Sequence, residues 1–213
     1  SMLAIDRLST NPEGFVLQIE AGRVDHGGHA NDMPASLHDQ IAFDETIAAV
    51  HEWTEGRDDT LVIITTDHGT GSPELTVYQQ QSYAGYDNLL NADRTLSWIA
   101  DKAADGPKEE FADRLAGLIA GHCGIELSSD EIDWATRPQR GERSDAFNPA
   151  SNRAGALGSV MANHWGVAYS STNHTAEHVN ATAFGPGSES LPSFMENYEL
   201  HGLMTAALGL PTT

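Results

Sequence analysis

Three short blocks of the chain concentrate side chains that seek metal ions. The first is Glu20 followed by Asp25-His26-Gly27-Gly28-His29. The second is Asp67-His68-Gly69-Thr70-Gly71, and the third is Asn173-His174-Thr175. Imidazole nitrogen and carboxylate oxygen are the usual non-thiolate ligands of zinc, and manganese or cobalt suits the same donors. Asp25 and His29 lie four positions apart, so on one helical turn they face the same way. Gly27 and Gly28 between them allow a metal or a backbone to approach closely. Each piece alone has a bland reading: Asp-x-x-x-His is commonly a surface hydrogen bond, and Asp-His after a strand is commonly a turn or cap. The joint pattern, two acid–histidine clusters each followed by glycines, points to a metal site.

These blocks must be positioned by the elements around them. Residues 13–20 form a short apolar run bounded by glycines, which predicts a buried strand ending at Glu20. Residues 35–55 predict a helix, with Leu37 and Ile41 four apart, Phe43, Ile47 and Val50 in register, and Gly56 as its stop. Residues 60–66 are a continuous β-branched run, the pattern of a parallel strand buried on both faces. Strand, helix and strand make a βαβ crossover. Both strands then run the same way, and Glu20 and Asp67-His68 share the carboxyl edge of one sheet, where α/β proteins bind ligands. Helices are expected near 95–104, 109–121, 129–136 and 149–163, with Ser128 and Glu131 as a capping box. Residues 178–184 have strand character, and a last helix near 196–208 stops at Gly209. The organisation that follows is a βαβ metal-binding part over 1–71, a mostly helical insertion or cap over 72–172, and a strand and helix over 173–213 that return to the core.

The composition bounds the function. The 213 residues carry a net charge of −20, which argues against a general basic surface for nucleic acid. Lys102 and Lys108 are the only lysines. Such a surface suits high salt or an ordinary acidic secreted protein. No apolar run approaches the roughly 18 residues that would span a bilayer. Cys123 is alone, so it forms no intrachain disulfide. His122 beside it has no second pair at zinc-finger spacing and reads as structural.

Taken together, Glu20 to His29, Thr66-Asp67-His68-Gly-Thr-Gly71, and His174-Thr175 with Ala-Phe-Gly-Pro186 downstream resemble the C-terminal half of an alkaline phosphatase. The resemblance implies an α/β sandwich with a mainly parallel central sheet flanked by helices. It implies that Asp25, His29 and His174 hold one zinc ion, that Asp67 and His68 belong to a second, and that Glu20 binds magnesium. His26 occupies the position near the phosphate where the family carries Lys or His. The implied reaction is hydrolysis of small phosphate monoesters through a phosphoserine, using a two-metal clamp on an in-line displacement. A periplasmic or extracellular location and a homodimer are implied as well, and open strand edges predict self-association.

The sequence departs from that family in several respects: the upstream Asp shared by the second zinc and the magnesium, the Arg that clamps phosphate and the hydroxyl ligand of the magnesium site are not found, and neither is the nucleophile. It contains no Asp-Ser dipeptide to supply the nucleophile, and Ser144-Asp145 has the reverse order. The expectation is a C-terminal part of a longer enzyme that does not turn over phosphate esters alone. Two other readings stay open. One is a related metallohydrolase acting on diesters, sulfates or phosphosugars. The other is a non-catalytic metal-binding module.

Overall fold

The computed structural model describes residues 1–76, 80–142 and 153–211, without the side chains of residues 80–82. Ser144-Asp145 and the start of the helix expected from residue 149 lie outside the described residues. The chain divides into two compact units. The smaller comprises Ser1–Gln18, Asp44–Gly69 and Ala176–Thr213, and the larger Ile19–Phe43 and Thr70–Thr175. In chain order the elements are α1 (Met2–Leu8), α2 (Gly22–His29), α3 (Met33–Thr54), β1 (Val62–Ile64), β2 (Gly69–Thr70) and β3 (Pro73–Leu75). There follow α4 (Gln80–Leu89), α5 (Leu96–Ala103), α6 (Phe111–Cys123), α7 (Ser129–Thr136), α8 (Arg153–Trp165), β4 (Val167–Tyr169), β5 (His174–Thr175), β6 (Thr182–Phe184) and α9 (Leu200–Ala207). Among the described residues no helix is long and apolar enough to cross a membrane.

The core of the larger unit is helical and follows from residue spacing. Leu96, Ile99, Ala100 and Ala103 form the buried stripe of α5, and Phe111, Leu115, Ile119 and Cys123 that of α6. Leu157, Val160, Met161 and Trp165 of α8 pack into the same cluster. Each large apolar side chain fully buried here contributes about 1.5–3 kcal/mol. Local chemistry sets the helix ends. The Thr95 hydroxyl accepts the Trp98 N–H at 3.1 Å to start α5. Ser128 and Glu131 form a reciprocal capping box at α7, as expected. Gly124 adopts a left-handed conformation after α6. Burial pushes the Cys123 thiol up to about 12, so it is an inert core residue. His122 pairs instead with Asp93, Nδ1 to Oδ1 at 2.7 Å.

The strands depart from expectation. β1 pairs antiparallel with β6, Ile63 opposite Ala183, and β3 pairs antiparallel with β4, Glu74 opposite Ala168. A third two-stranded sheet joins β2 and β5. The described residues therefore contain three small sheets rather than a mainly parallel central sheet, and β1 is half-buried rather than covered on both faces. Residues 13–20 show the alternating burial of a strand, with Phe15, Leu17 and Ile19 half-buried and Val16 exposed, yet they form no ladder. The physical reason is that alternation and β-branching specify a pleated face, whereas ladder direction depends on which neighbour is hydrogen-bonded. The helix over 35–55 is present as α3, though Ile41 stays 45% exposed.

One buried carboxylate organises the larger unit. Asp32 is 1% exposed and precedes α3. Its Oδ1 accepts the Ala35 N–H at 3.1 Å, and its Oδ2 accepts the Leu96 N–H of α5 at 2.5 Å. Burial pushes Asp32 from 3.8 up to about 6, against the lowering effect of those two N–H groups. The folded value lies above the unfolded one, so the stabilisation is complete below about pH 4 and is lost as pH rises through about 6. The span corresponds to about 3 kcal/mol. In urea unfolding, the stability advantage of wild type over Asp32→Ala is expected to shrink by up to about 3 kcal/mol between about pH 4 and pH 7. An advantage that grows with pH contradicts this account.

Candidate metal centre

The larger unit brings three of the expected ligands together. Asp25 and His29 sit one turn apart on α2, with Asp25 Oδ1 3.4 Å from His29 Nε2. His174 opens β5, and its ring centroid lies 5.0 Å from that of His29. Asp25 and His174 each offer a ligand atom within 4.8 Å of the other. A carboxylate and two imidazoles thus converge although His174 is far away in sequence.

Each of the two candidate ligands on α2 is held by a partner that the motif alone does not name. The Thr70 hydroxyl donates to Asp25 Oδ1 at 2.5 Å. His29 Nδ1 lies 2.6 Å from the Thr172 carbonyl oxygen, which can only accept. Nδ1 therefore carries the hydrogen, and Nε2 keeps its lone pair on the side of Asp25. A backbone carbonyl behind a histidine is the usual device for fixing a metal-binding tautomer. Donor types, spacing and tautomer all fit a divalent ion of the zinc class.

The glycines of the first block have a definite task. A Cβ at Gly28 would sit 2.9 Å from the Thr70 carbonyl oxygen and 3.0 Å from Thr70 Cβ. A Cβ at Gly27 would run into Ser36 in the first turn of α3. The two glycines thus let α2 lie against Thr70 on one side and α3 on another. Gly71, at φ 75°, donates its N–H to the Asn173 carbonyl at 2.9 Å and so ties the second block to the third.

The remaining expected residues are placed as follows. Glu20 is exposed, with Oε1 folded over Gly22 at the start of α2. His26 is exposed on α2. Asp67 and His68 belong to the smaller unit, Oδ2 to Nε2 at 3.4 Å, with Asp67 largely exposed. His68 Nδ1 lies 3.1 Å from the Gly69 carbonyl oxygen. Thr66 donates its hydroxyl to the His68 carbonyl at 3.1 Å and Thr65 to that of Asn180 at 3.3 Å, which steadies this loop.

Sequence reasoning missed Thr70, Thr172, Asn31 and Asp32. Thr70 lies inside the second block, and an Asp just before a helix is a recognised start signal. Thr172 acts through its backbone, for which no side-chain signal exists.

The family model described as Alkaline phosphatase matches residues 1–210. Alkaline phosphatase 4 of Bacillus subtilis (strain 168) is 26% identical over 194 residues, 91% of this chain and 39% of that protein. The tissue-nonspecific alkaline phosphatase of Felis catus is 42% identical over 120 residues, 56% of this chain and 20% of that protein. The crystal structure of Thermus thermophilus alkaline phosphatase superposes with a TM-score of 0.88 at 26% identity, covering 100% of this chain and 47% of that one. The chain thus spans less than half the length of each of these relatives.

Because the Gly28 contact seats Thr70 against Asp25, Gly28→Ala is expected to weaken Zn2+ binding about tenfold or more. Isothermal titration calorimetry on the full chain checks this, with far-UV circular dichroism unchanged. Undiminished affinity would show that this close contact does not hold the ligand.

Proposed function

Because the chain belongs to the alkaline phosphatase family, we propose that it is the metal-binding C-terminal part of an enzyme that hydrolyses small phosphate monoesters. The observation that carries the reading is that Asp25 lies 3.4 Å from His29 and offers a ligand atom within 4.8 Å of one from His174, whose ring centroid is 5.0 Å from that of His29. In this reading these three hold one zinc ion, Asp67 and His68 contribute to a second, and Glu20 serves magnesium. Bound there, the ions supply positive charge for the attacking and leaving oxygens of an in-line displacement.

The chain's own residues do the positioning. Thr70 holds the Asp25 carboxylate, and the Thr172 carbonyl holds His29 with Nε2 open. His26, exposed one residue beyond Asp25, is available to donate to a phosphate oxygen. The phosphoserine step needs a Ser in the family's Asp-Ser setting, and this sequence has no such dipeptide. The chain by itself is therefore proposed to load metal without sustained turnover. Export to the periplasm or the extracellular medium, and a homodimer, belong to the same reading.

The smaller unit supports the proposal that more polypeptide completes the fold. Among its described residues Ile5 is the only buried apolar side chain, while Val16 is 70% and Phe194 67% exposed. In the whole enzyme residues 13–20 and β1 are proposed to join a larger, mainly parallel sheet.

The test uses the purified chain with Zn2+ and Mg2+ supplied. Metal analysis is expected to find bound zinc, reduced about tenfold or more in affinity by His29→Ala or His174→Ala. Release of phosphate from p-nitrophenyl phosphate is expected to stay at background. Sustained, chelator-sensitive turnover with a serine of this chain trapped as phosphoserine would overturn the proposed inactivity. Failure to bind zinc would overturn the site.

A further inference from the structure

Asn31 lies just past the end of α2 and takes no part in the ligand set. It is 1% exposed, and its φ of 51° is the left-handed conformation that Asn adopts more readily than most non-glycine residues at a helix C-terminus. Its Nδ2 donates to two carbonyls, that of Gly28 at 3.0 Å and that of Ser171 at 2.8 Å. Gly28 belongs to the helix that carries Asp25 and His29. Ser171 belongs to the segment that carries the Thr172 carbonyl behind His29, and then His174. One side-chain amide thus joins the two pieces of chain whose separation sets the spacing of the three ligands.

The surroundings are built to this residue. A Cβ at Gly71 would lie 3.2 Å from Asn31 Nδ2, and a Cβ at Gly158 of α8 only 2.6 Å from Asn31 Cβ. Two backbone carbonyls facing one group require a double N–H donor, which a carboxylate or hydroxyl of this size is not. The other amide atom, Oδ1, is buried without a hydrogen-bond partner. A buried polar atom left so costs about 1–3 kcal/mol, so the residue is a poor choice for stability alone.

We propose that Asn31 is a positioning residue of the metal centre: its amide clamps α2 to residues 171–174 and thereby sets the distance of His174 from Asp25 and His29. The inference rests on the reading that these three residues bind metal. The clamp touches no metal and acts through the two backbone segments.

The experiment is a Co2+ titration of the full chain, followed by the visible absorption of the bound ion, for wild type, Asn31→Asp and Asn31→Gly. Asn31→Gly accepts the left-handed backbone without strain, so it remains informative if Asn31→Asp does not fold. Leu115→Ala, in the buried stripe of α6, serves as a control for destabilisation alone. The Asn31 variants are expected to lose about tenfold or more in Co2+ affinity and to alter the absorption band, with Leu115→Ala matching wild type in both. Asn31 variants with wild-type affinity and band, or changes equalled by Leu115→Ala, overturn the clamp while leaving the site intact. A wild-type chain that binds no Co2+ overturns the reading of the site, and the clamp with it.

Discussion

A carboxylate buried where two helices begin is the constraint on which the larger unit depends. Asp32 accepts the N–H of Ala35 at the start of α3 and of Leu96 at the start of α5. A charge in that position loses its water, and the N–H groups at the helix starts replace it in part. The two contacts fix the corner that follows α2 onto the helical core. Because Asn31 and Asp32 are consecutive, the same corner ends the helix of the first ligand block. That corner is thus anchored on the helical core, and interiors packed to crystal-like density resist displacement.

The centre is assembled from parts that cannot hold themselves. Asp25 and His29 are adjacent on one helix, but an isolated pair of that kind is worth little at a surface. A hydroxyl and a carbonyl from other segments contact their side chains. Glycines at 28 and 71 make those segments close enough to do so. The smaller unit is organised differently. It has almost no buried apolar side chains among its described residues, and its β1 is paired along one edge by β6. Regions with so little burial open at low cost, whereas the α5–α6–α8 cluster is the kind that opens last.

Much of the local structure was legible. The stripes of α5 and α6, the Ser128–Glu131 capping box and the long helix α3 follow from spacing and terminal residues. Strand direction was not legible. Residues 60–66 read as a parallel strand, and Val62–Ile64 instead run antiparallel to Thr182–Phe184. Residues 13–20 have strand-like alternation without a ladder. Side-chain pattern reports which faces are covered, while direction is a property of the partner.

The types of the candidate ligands and the four-residue spacing of Asp25 and His29 were readable from the sequence alone, whereas the helix α2 that sets them on one side belongs to the structure. Glycines flanking the ligands were equally readable, since only a missing Cβ permits such approach. Tertiary structure alone decided that His174 arrives beside them, that the Thr172 carbonyl chooses the His29 tautomer, and that Asn31 bridges the two segments. Those contacts join residues 140 and 143 positions apart. They depend on where packed helices carry the chain, and a backbone carbonyl leaves no trace of its partner in the side-chain pattern.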